Sequence, residues 1–541
     1  MTETTGRVAP AEPRPLTAAL IPTAFGIRHA VVVVAPLAIL LLAAAALRLL
    51  LLDARELFRD EAASWLLAQA AWTEIVPRSA AEPYAPVYPF LLKAWMTLVG
   101  DSPVALRSLS GLLGVALVAV TWAWARAAFR PPIAIAAAAL VALSPLAIAN
   151  ARDVRMYALE AFWITLAWWL LWRLVSNRRP LSQRPWAALL AAIAVAAELW
   201  TLPTGVAAFA LQAVTLGILQ LAAPHPGIRA GAAALAVGLV AFLPGIPRML
   251  TAAGVGQPYW APPTNLGDLP ETFAVTFGGA VASPAWLALG PLGLLAVIGL
   301  WSLLRDGRED LATPLCVFGG VALILLWWAI SFWRSAYDAR YLGAAVPPLA
   351  IAIAVGFERV ATAAAAIGSG RRRVVQALGV ALLVLVASGT ATFESKWGGG
   401  SGLPPAEAAA IALRERVADG DVVVVADARS YLPLAYVTGR SAAPIALDAP
   451  VRYWRSGQEP VYQGGDLVAP NATLSPNDRL VPGELPGLAA NGSIWLVAIT
   501  EPDDEIGAFA PLSDGGLIEV ERVVVADNDA SGWLLRLRPA P

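Results

Sequence analysis

The chain has 541 residues, 58% hydrophobic and 14% charged, with a net charge of −1. Soluble globular proteins carry about 25% charged residues, so this composition excludes a purely aqueous fold, and nothing in it reads as a nucleic-acid-binding patch. The single cysteine, Cys316, excludes an intrachain disulfide and a Cys-based metal site.

Residues 1–30 read as a polar cytoplasmic N-terminus. No cleavable signal peptide is evident, because Met1 to Arg28 is polar and the apolar run that follows is long enough to span a bilayer. Apolar runs follow near 31–52, 84–99, 105–128, 132–150, 156–176, 186–202, 204–222, 229–247, 284–304, 311–333, 341–361 and 374–392. The run at 84–99 is broken by Pro83, Pro86 and Pro89 and reads as a re-entrant or interfacial segment, which leaves eleven spans. Arginines cluster at Arg126 and Arg130, at Arg173 to Arg184 and at Arg371 to Arg373. Cytoplasmic segments carry the excess of Lys and Arg, so this pattern places the N-terminus inside and the C-terminus outside.

Three regions then lie outside: a first loop over 53–93, a second over 248–283, and a C-terminal domain over 393–541. The domain opens on a Gly-rich linker at 397–402, followed by a helix over 405–418 and strands near 421–426, 493–499, 518–525 and 533–537. Its charge differs from the rest: residues 1–392 hold 27 Lys and Arg against 19 Asp and Glu, residues 393–541 hold 11 against 20. The fold class is therefore a polytopic α-helical membrane protein of about eleven transmembrane helices. It pairs a membrane module, 31–392, with a small extracytoplasmic α/β domain.

Candidate chemistry gathers at the outer ends of the spans. Asp60 and Glu61 are adjacent carboxylates just beyond the first span. One reading makes them a site with a general base; the other makes them loop charges that cap a helix running 62–71. Arg152 and Arg155 are three residues apart, so on a helix they share a face. Arginine's planar fork suits phosphate, while ordinary snorkelling at a helix end is the alternative. Arg340, beside Tyr341, follows the same logic. Glu198 is ionisable within an apolar span, which is costly and marks a candidate site. Tyr84, Tyr88 and Trp260 could line a groove or serve as interfacial anchors. No phosphate-cradling Walker motif and no dinucleotide glycine fingerprint occur, which leaves ATP-driven transport unsupported.

Several stretches, taken in order, resemble the GT-C superfamily of glycosyltransferases, in the branch of protein mannosyltransferases and bacterial lipid A aminoarabinose transferases. They are Asp60-Glu61; Pro86-Val-Tyr88 with Phe90-Leu-Leu-Lys-Ala-Trp95; Gly100-Asp-Ser102; Ala105-Leu-Arg-Ser-Leu-Ser110; Ser144-Pro145 leading to Arg155-Met-Tyr157; Trp260-Ala-Pro-Pro263; and Arg340-Tyr341 with Pro347-Pro348. The chain departs from the family pattern at Tyr84, where relatives often carry His or Asp. It departs again at Leu199-Trp-Thr-Leu-Pro203, which lacks the histidine of relatives.

The resemblance implies a first loop with two juxtamembrane helices, an external active site, a polyprenyl-phosphate sugar donor and inversion at the anomeric carbon. It implies Asp60 as general base, Glu61 as its neighbour or an acceptor-binding partner, and Arg155 and Arg340 on the donor phosphate with Arg152 in support. Tyr84, Tyr88, Tyr157, Glu198 and Tyr341 would border the substrate groove. It implies no metal and no cofactor. The acceptor would be an envelope glycan, lipid or protein, and the location a bacterial inner (plasma) membrane. A lipid-linked glycan ligase or polymerase and a polytopic transporter or flippase are the alternative functions.

Overall fold

The computed structural model describes residues 24–79, 86–177, 180–254, 262–279, 283–307, 310–333, 335–397, 405–425, 428–441, 444–449, 451–454, 479–480, 492–499, 517–527 and 530–539. Tyr84, Trp260 and residues 398–402 of the linker lie outside the described residues. The chain runs through α1 (Ala24–Leu49), α2 (Arg59–Gln69), α3 (Ile75–Arg78), α4 (Val87–Val99), α5 (Pro103–Ala128), α6 (Pro131–Leu143), α7 (Pro145–Arg152), α8 (Tyr157–Ser176), α9 (Pro185–Leu199), α10 (Pro203–Ala222), α11 (Pro226–Phe242) and α12 (Ile246–Gly254). It continues through α13 (Asp268–Phe277), α14 (Trp286–Asp306), α15 (Ala312–Trp333), α16 (Val346–Ile367), α17 (Ser369–Trp397), α18 (Pro405–Arg414) and α19 (Ala428–Gly439).

Among the described residues, eight helical segments are long and apolar enough to cross a membrane, or nine if the bent pair α6–α7 counts as one span. Shorter apolar helices at Ala35–Leu49 and Pro185–Leu199 occupy the positions of the two remaining expected spans, and α4 is the short helix of the proline-broken run. The protein is thus a multi-pass membrane protein. Many of its helices begin on proline: Pro103, Pro131, Pro145, Pro185, Pro203 and Pro226 each stand in a first turn. There the absent N–H costs nothing and the fixed φ suits the helix. Close packing inside the module uses glycine: a Cβ at Gly299 would strike the Ala352 carbonyl, and one at Gly356 would strike that of Leu295, so α14 and α16 pack backbone to backbone.

The expected continuous span over 132–150 is instead two helices bent by 56° at Ser144-Pro145. Pro145 cannot donate to the ladder of α6, which frees carbonyls inside the module. The buried Arg48 guanidinium meets them, donating to Val141 O at 2.9 Å and Ala142 O at 3.0 Å. Ser144 caps the new helix through its Oγ, which accepts from Ala147 N at 3.3 Å. The bend redirects α7 so that Asn150 and Asp153 reach the cavity described below.

The C-terminal residues form a six-stranded sheet, β1 (Val422–Val425), β2 (Val451–Trp454), β3 (Arg479–Leu480), β4 (Ile494–Ala498), β5 (Leu517–Asp527) and β6 (Ala530–Pro539), in the order β3-β2-β1-β4-β6-β5. β1 is parallel to β2 and β4, while β6 is antiparallel to β4 and β5. All four residues of β1 are buried, as its unbroken valine run requires of a strand covered on both faces. The strand expected at 533–537 extends to Ala530–Pro539, and β2, β3 and α19 are additional to the expected elements.

This domain packs on the first loop of the membrane module. Tyr436 of α19 meets Trp65 of α2 edge to face at 5.2 Å and donates to Asp101 O at 2.9 Å. Asp101 Oδ2 accepts from Ser441 N at 2.8 Å and from Trp65 Nε1 at 3.3 Å. At the other end, Glu56 Oε2 accepts from Ala406 N at the start of α18.

Candidate active site

The two carboxylates at the start of α2 have separate surroundings. Glu61 closes a capping box on Phe58 N at 2.9 Å. It also receives a two-pronged contact from Arg107, Nε to Oε1 at 2.8 Å and a terminal nitrogen to Oε2 at 2.6 Å, and a third donor, Val154 N, at 3.0 Å. Arg107, from α5, also donates to the carbonyls of Leu52, Arg55 and Glu56. Glu61 and Arg107 therefore form a buried, hydrogen-bonded pair that pins the first loop to α5 and to the α7–α8 turn. The helix-capping reading of Glu61 describes what its carboxylate does here, while one edge of it still reaches the cavity.

Asp60 is 5% exposed. Its backbone carbonyl accepts from Arg155 at 3.1 Å, and Arg155 also reaches Ser64 Oγ at 3.2 Å. Its carboxylate meets Arg59 at 3.1 Å and Arg340 at 3.8 Å. Burial by itself would raise the Asp60 carboxyl, but Arg155, Arg59 and Arg340 outweigh it and hold the group below the usual carboxylate value. Arg340 is shared: it also pairs with Asp338 at 3.1 Å, and its guanidinium lies 5.6 Å from the Tyr157 ring and 5.8 Å from that of Tyr341. Asn150 Nδ2 holds the Arg340 backbone carbonyl at 2.9 Å.

Beside these groups opens a cavity of about 570 Å³. Arg340, Glu61, Arg107 and Asp153 line it, together with Asp338, Glu56, and Asp268 and Glu271 of α13, which follows the second long loop, so the lining is rich in acids. Burial first, then the neighbouring charge of Glu61, pushes the Asp153 carboxyl up. Burial likewise pushes Glu56 up to about 7. Among the described residues no cluster of three or more His, Cys, Asp or Glu has the arrangement to hold a metal ion.

The expected site residues separate into two groups. Asp60, Glu61, Arg155, Arg340, Tyr157 and Tyr341 come together, with Glu61 and Arg340 on the cavity wall and Asp60 directly behind Arg340. Two others, Arg152 and Glu198, are placed elsewhere, while Tyr88 is buried beside the group, its partner Ser110 donating to Arg155 O at 3.4 Å. Arg152, expected to support a phosphate, is 1% exposed and forms an ion pair with Glu394 of α17 at 2.9 Å, because the bend at Pro145 turns it toward that helix. Tyr88, expected in the groove, is buried with its hydroxyl on Ser110 at 3.3 Å. Glu198, also expected in the groove, faces Gln212 inside the helix bundle. The sequence reading missed Asp153, Asp338, Asp268 and Glu271 as cavity residues. Asp153 and Asp338 lie within stretches already marked by their arginines, and that proximity was the available signal.

A profile of the family described as dolichyl-phosphate-mannose-protein mannosyltransferase matches residues 82–244. No curated protein matches the chain by sequence. In three dimensions the chain is similar to ArnT from Cupriavidus metallidurans in the apo state, with a TM-score of 0.63 at 15% identity over 94% of this chain and 98% of that one. ArnT from the same organism bound to undecaprenyl phosphate gives 0.56 at 16% identity over the same shares. The archaeal oligosaccharyltransferase AglB from Archaeoglobus fulgidus, in complex with an inhibitory peptide and a dolichol-phosphate, gives 0.54 at 13% identity over 77% of this chain and 65% of that one. These likenesses bear out the fold expected from the motifs.

Proposed function

We propose that this chain, which has the fold of the GT-C glycosyltransferases, is an inverting glycosyltransferase that moves a sugar from a polyprenyl-phosphate donor to an acceptor hydroxyl on the outer face of the membrane. One observation carries the reading: Arg340 stands on the cavity wall and divides its guanidinium between Asp60 and Asp338. A phosphate leaving group departs without a proton, so the reaction asks for cations on the phosphate and one base on the acceptor. Of the arginines lining the cavity, Arg107 is committed to Glu61 and Arg340 is shared with Asp60, beside which Arg155 also stands.

A donor phosphate seated on Arg340 draws the guanidinium away from Asp60. The carboxylate loses one of the charges that depress its pKa and becomes the stronger base as the donor arrives. It takes the acceptor proton as the acceptor oxygen attacks the anomeric carbon and the bond to the phosphate oxygen breaks. The acid-rich lining of Glu56, Asp268, Glu271 and Asp338 offers hydrogen-bond acceptors to sugar hydroxyls. The surrounding membrane, the fold's relatives and the first-loop position of the site support a lipid-phosphate donor, an envelope acceptor and a bacterial inner membrane. The C-terminal domain, packed on the same loop, borders the acceptor's approach.

The test uses the full chain in nanodiscs with a panel of polyprenyl-phosphate sugars and a crude envelope acceptor fraction. Free polyprenyl phosphate is followed for wild type, Asp60→Asn and Asp153→Asn. Release by wild type, reduced by 10²–10⁴-fold in Asp60→Asn, is the expected outcome. The acid limb of kcat/KM falls below 3.8, because the free enzyme holds Asp60 ionised. Loss in Asp153→Asn alone moves the base to Asp153. Diphosphate release from an oligosaccharide donor favours the ligase reading, and no release from any donor by folded protein removes the transferase.

A further inference from the structure

A second polar cluster lies away from the cavity, where α8, α9 and α10 meet. Glu160, Glu198, Thr204 and Gln212 are each at most 1% exposed. Glu160 Oε1 accepts from Thr204 Oγ1 at 3.2 Å, and Gln212 Nε2 donates to Glu198 Oε2 at 3.1 Å. The two carboxylates act on each other electrostatically, and no Lys, Arg or His among the described residues pairs with either. Three oxygens, Glu160 Oε2, Glu198 Oε1 and Gln212 Oε1, have no hydrogen-bond partner among the described residues.

The identity of these atoms decides what can satisfy them. With both carboxyls ionised, all three are acceptors and none is a donor. Two buried carboxylates without a counter-charge are prohibitive in an apolar module. Protons on both carboxyls would supply two donors and remove the charge, and this is the arrangement with which a bound metal competes. A metal cation instead takes lone pairs from carboxylate and amide oxygens alike and supplies the missing charge. Carboxylate and amide oxygens are hard ligands, which select alkali and alkaline-earth ions over zinc or copper. Gly205 keeps the start of α10 against the cluster: a Cβ there would strike the Glu198 carbonyl and come within 2.9 Å of Glu160 Oε1.

We propose that Glu160, Glu198 and Gln212 bind a hard metal cation through oxygen and so tie α8, α9 and α10 together. The site lies one helical turn along α8 from Tyr157, whose ring packs under Arg340, so the ion braces the helix end that supports the cavity.

The full chain is purified in micelles, stripped with chelator into choline chloride, and titrated separately with CaCl₂, MgCl₂, NaCl and KCl. Apparent Tm is followed, together with direct binding of radioactive calcium and sodium. At least one ion raises the wild-type Tm saturably, by roughly 3 °C or more at a hundredfold excess over Kd, and binds stoichiometrically. Both effects disappear in Glu198→Gln and Gln212→Leu. The wild-type titration stands even if neither variant folds. Four ions indistinguishable from choline overturn the proposal, as does a shift retained in both variants. A Tm that responds to acidification and to none of the ions assigns the cluster protons instead of a metal.

Discussion

At the N-terminus of α2, neighbouring carboxylates serve different ends. Glu61 receives Arg107, Val154 N and Phe58 N, so removing its partner strands a buried charge. Arg107→Ala is expected to lose about 3–5 kcal/mol of stability, read as lower apparent Tm and folded yield. The double change Arg107→Ala with Glu61→Gln should recover part of that loss. A double variant no more stable than the single one would show that Arg107 acts through the carbonyls of Leu52, Arg55 and Glu56. Arg340 is different, being half-buried and shared between two acids. Arg340→Lys keeps the charge but loses the planar fork. It should raise the donor KM and lower kcat/KM by about 10–10²-fold, with Arg340→Ala worse; equal activity in Arg340→Lys would mean the phosphate sits elsewhere. The residue types of this site are legible in the sequence, because acids and arginines at outer span ends are costly to keep there. Their division of labour is not legible, since Asp60 and Glu61 are adjacent and only the position of Arg107, 46 residues away, distinguishes them.

The short and broken elements decide which of these side chains converge. The Ser144-Pro145 break sends Arg152 to Glu394 and leaves Asp153 on the cavity, although Arg152 and Asp153 are consecutive. The contact between Glu56 and the start of α18 is the element-scale joint between the two parts of the protein, and it titrates. Burial lifts the Glu56 carboxyl from its ordinary 4.5 to about 7, so the folded state binds this proton more tightly than the unfolded chain does. The stabilisation is fully present below pH 4.5 and is lost as the pH rises through about 7. Apparent Tm should therefore fall across that window more steeply in wild type than in Glu56→Gln. Parallel profiles would place Glu56 in solvent. Periodicity and proline positions reveal the helices themselves, but a bend depends on what fills the freed carbonyls, and Arg48 comes from a helix nearly a hundred residues earlier.

For the whole molecule, the packing of the C-terminal domain on the first loop puts the sheet and the cavity on one side of the membrane. We propose from the arginine bias an N-in, C-out orientation, which would make that side external. Cys316 is buried, so a Cys316→Ala background supports labelling at single introduced cysteines. Ser441→Cys, beside Asp101, should react with a membrane-impermeant maleimide in intact cells. Ser176→Cys, at the far end of α8, should react only after permeabilisation, and the reverse pattern would invert the topology and the site with it. What the sequence determined by itself was the membrane module, its span positions, the β-rich C-terminal domain and the residue classes of the site. Those follow from local apolar length, charge bias and the cost of charge in lipid, all of which are properties of short stretches. The tertiary structure alone decided that Asp60 stands behind Arg340, that Glu61 is held by Arg107, that Glu198 faces Glu160 and Gln212, and that Asp268 and Glu271 join the cavity. These are meetings between segments distant in the chain, set by how helices pack, and no local pattern encodes them.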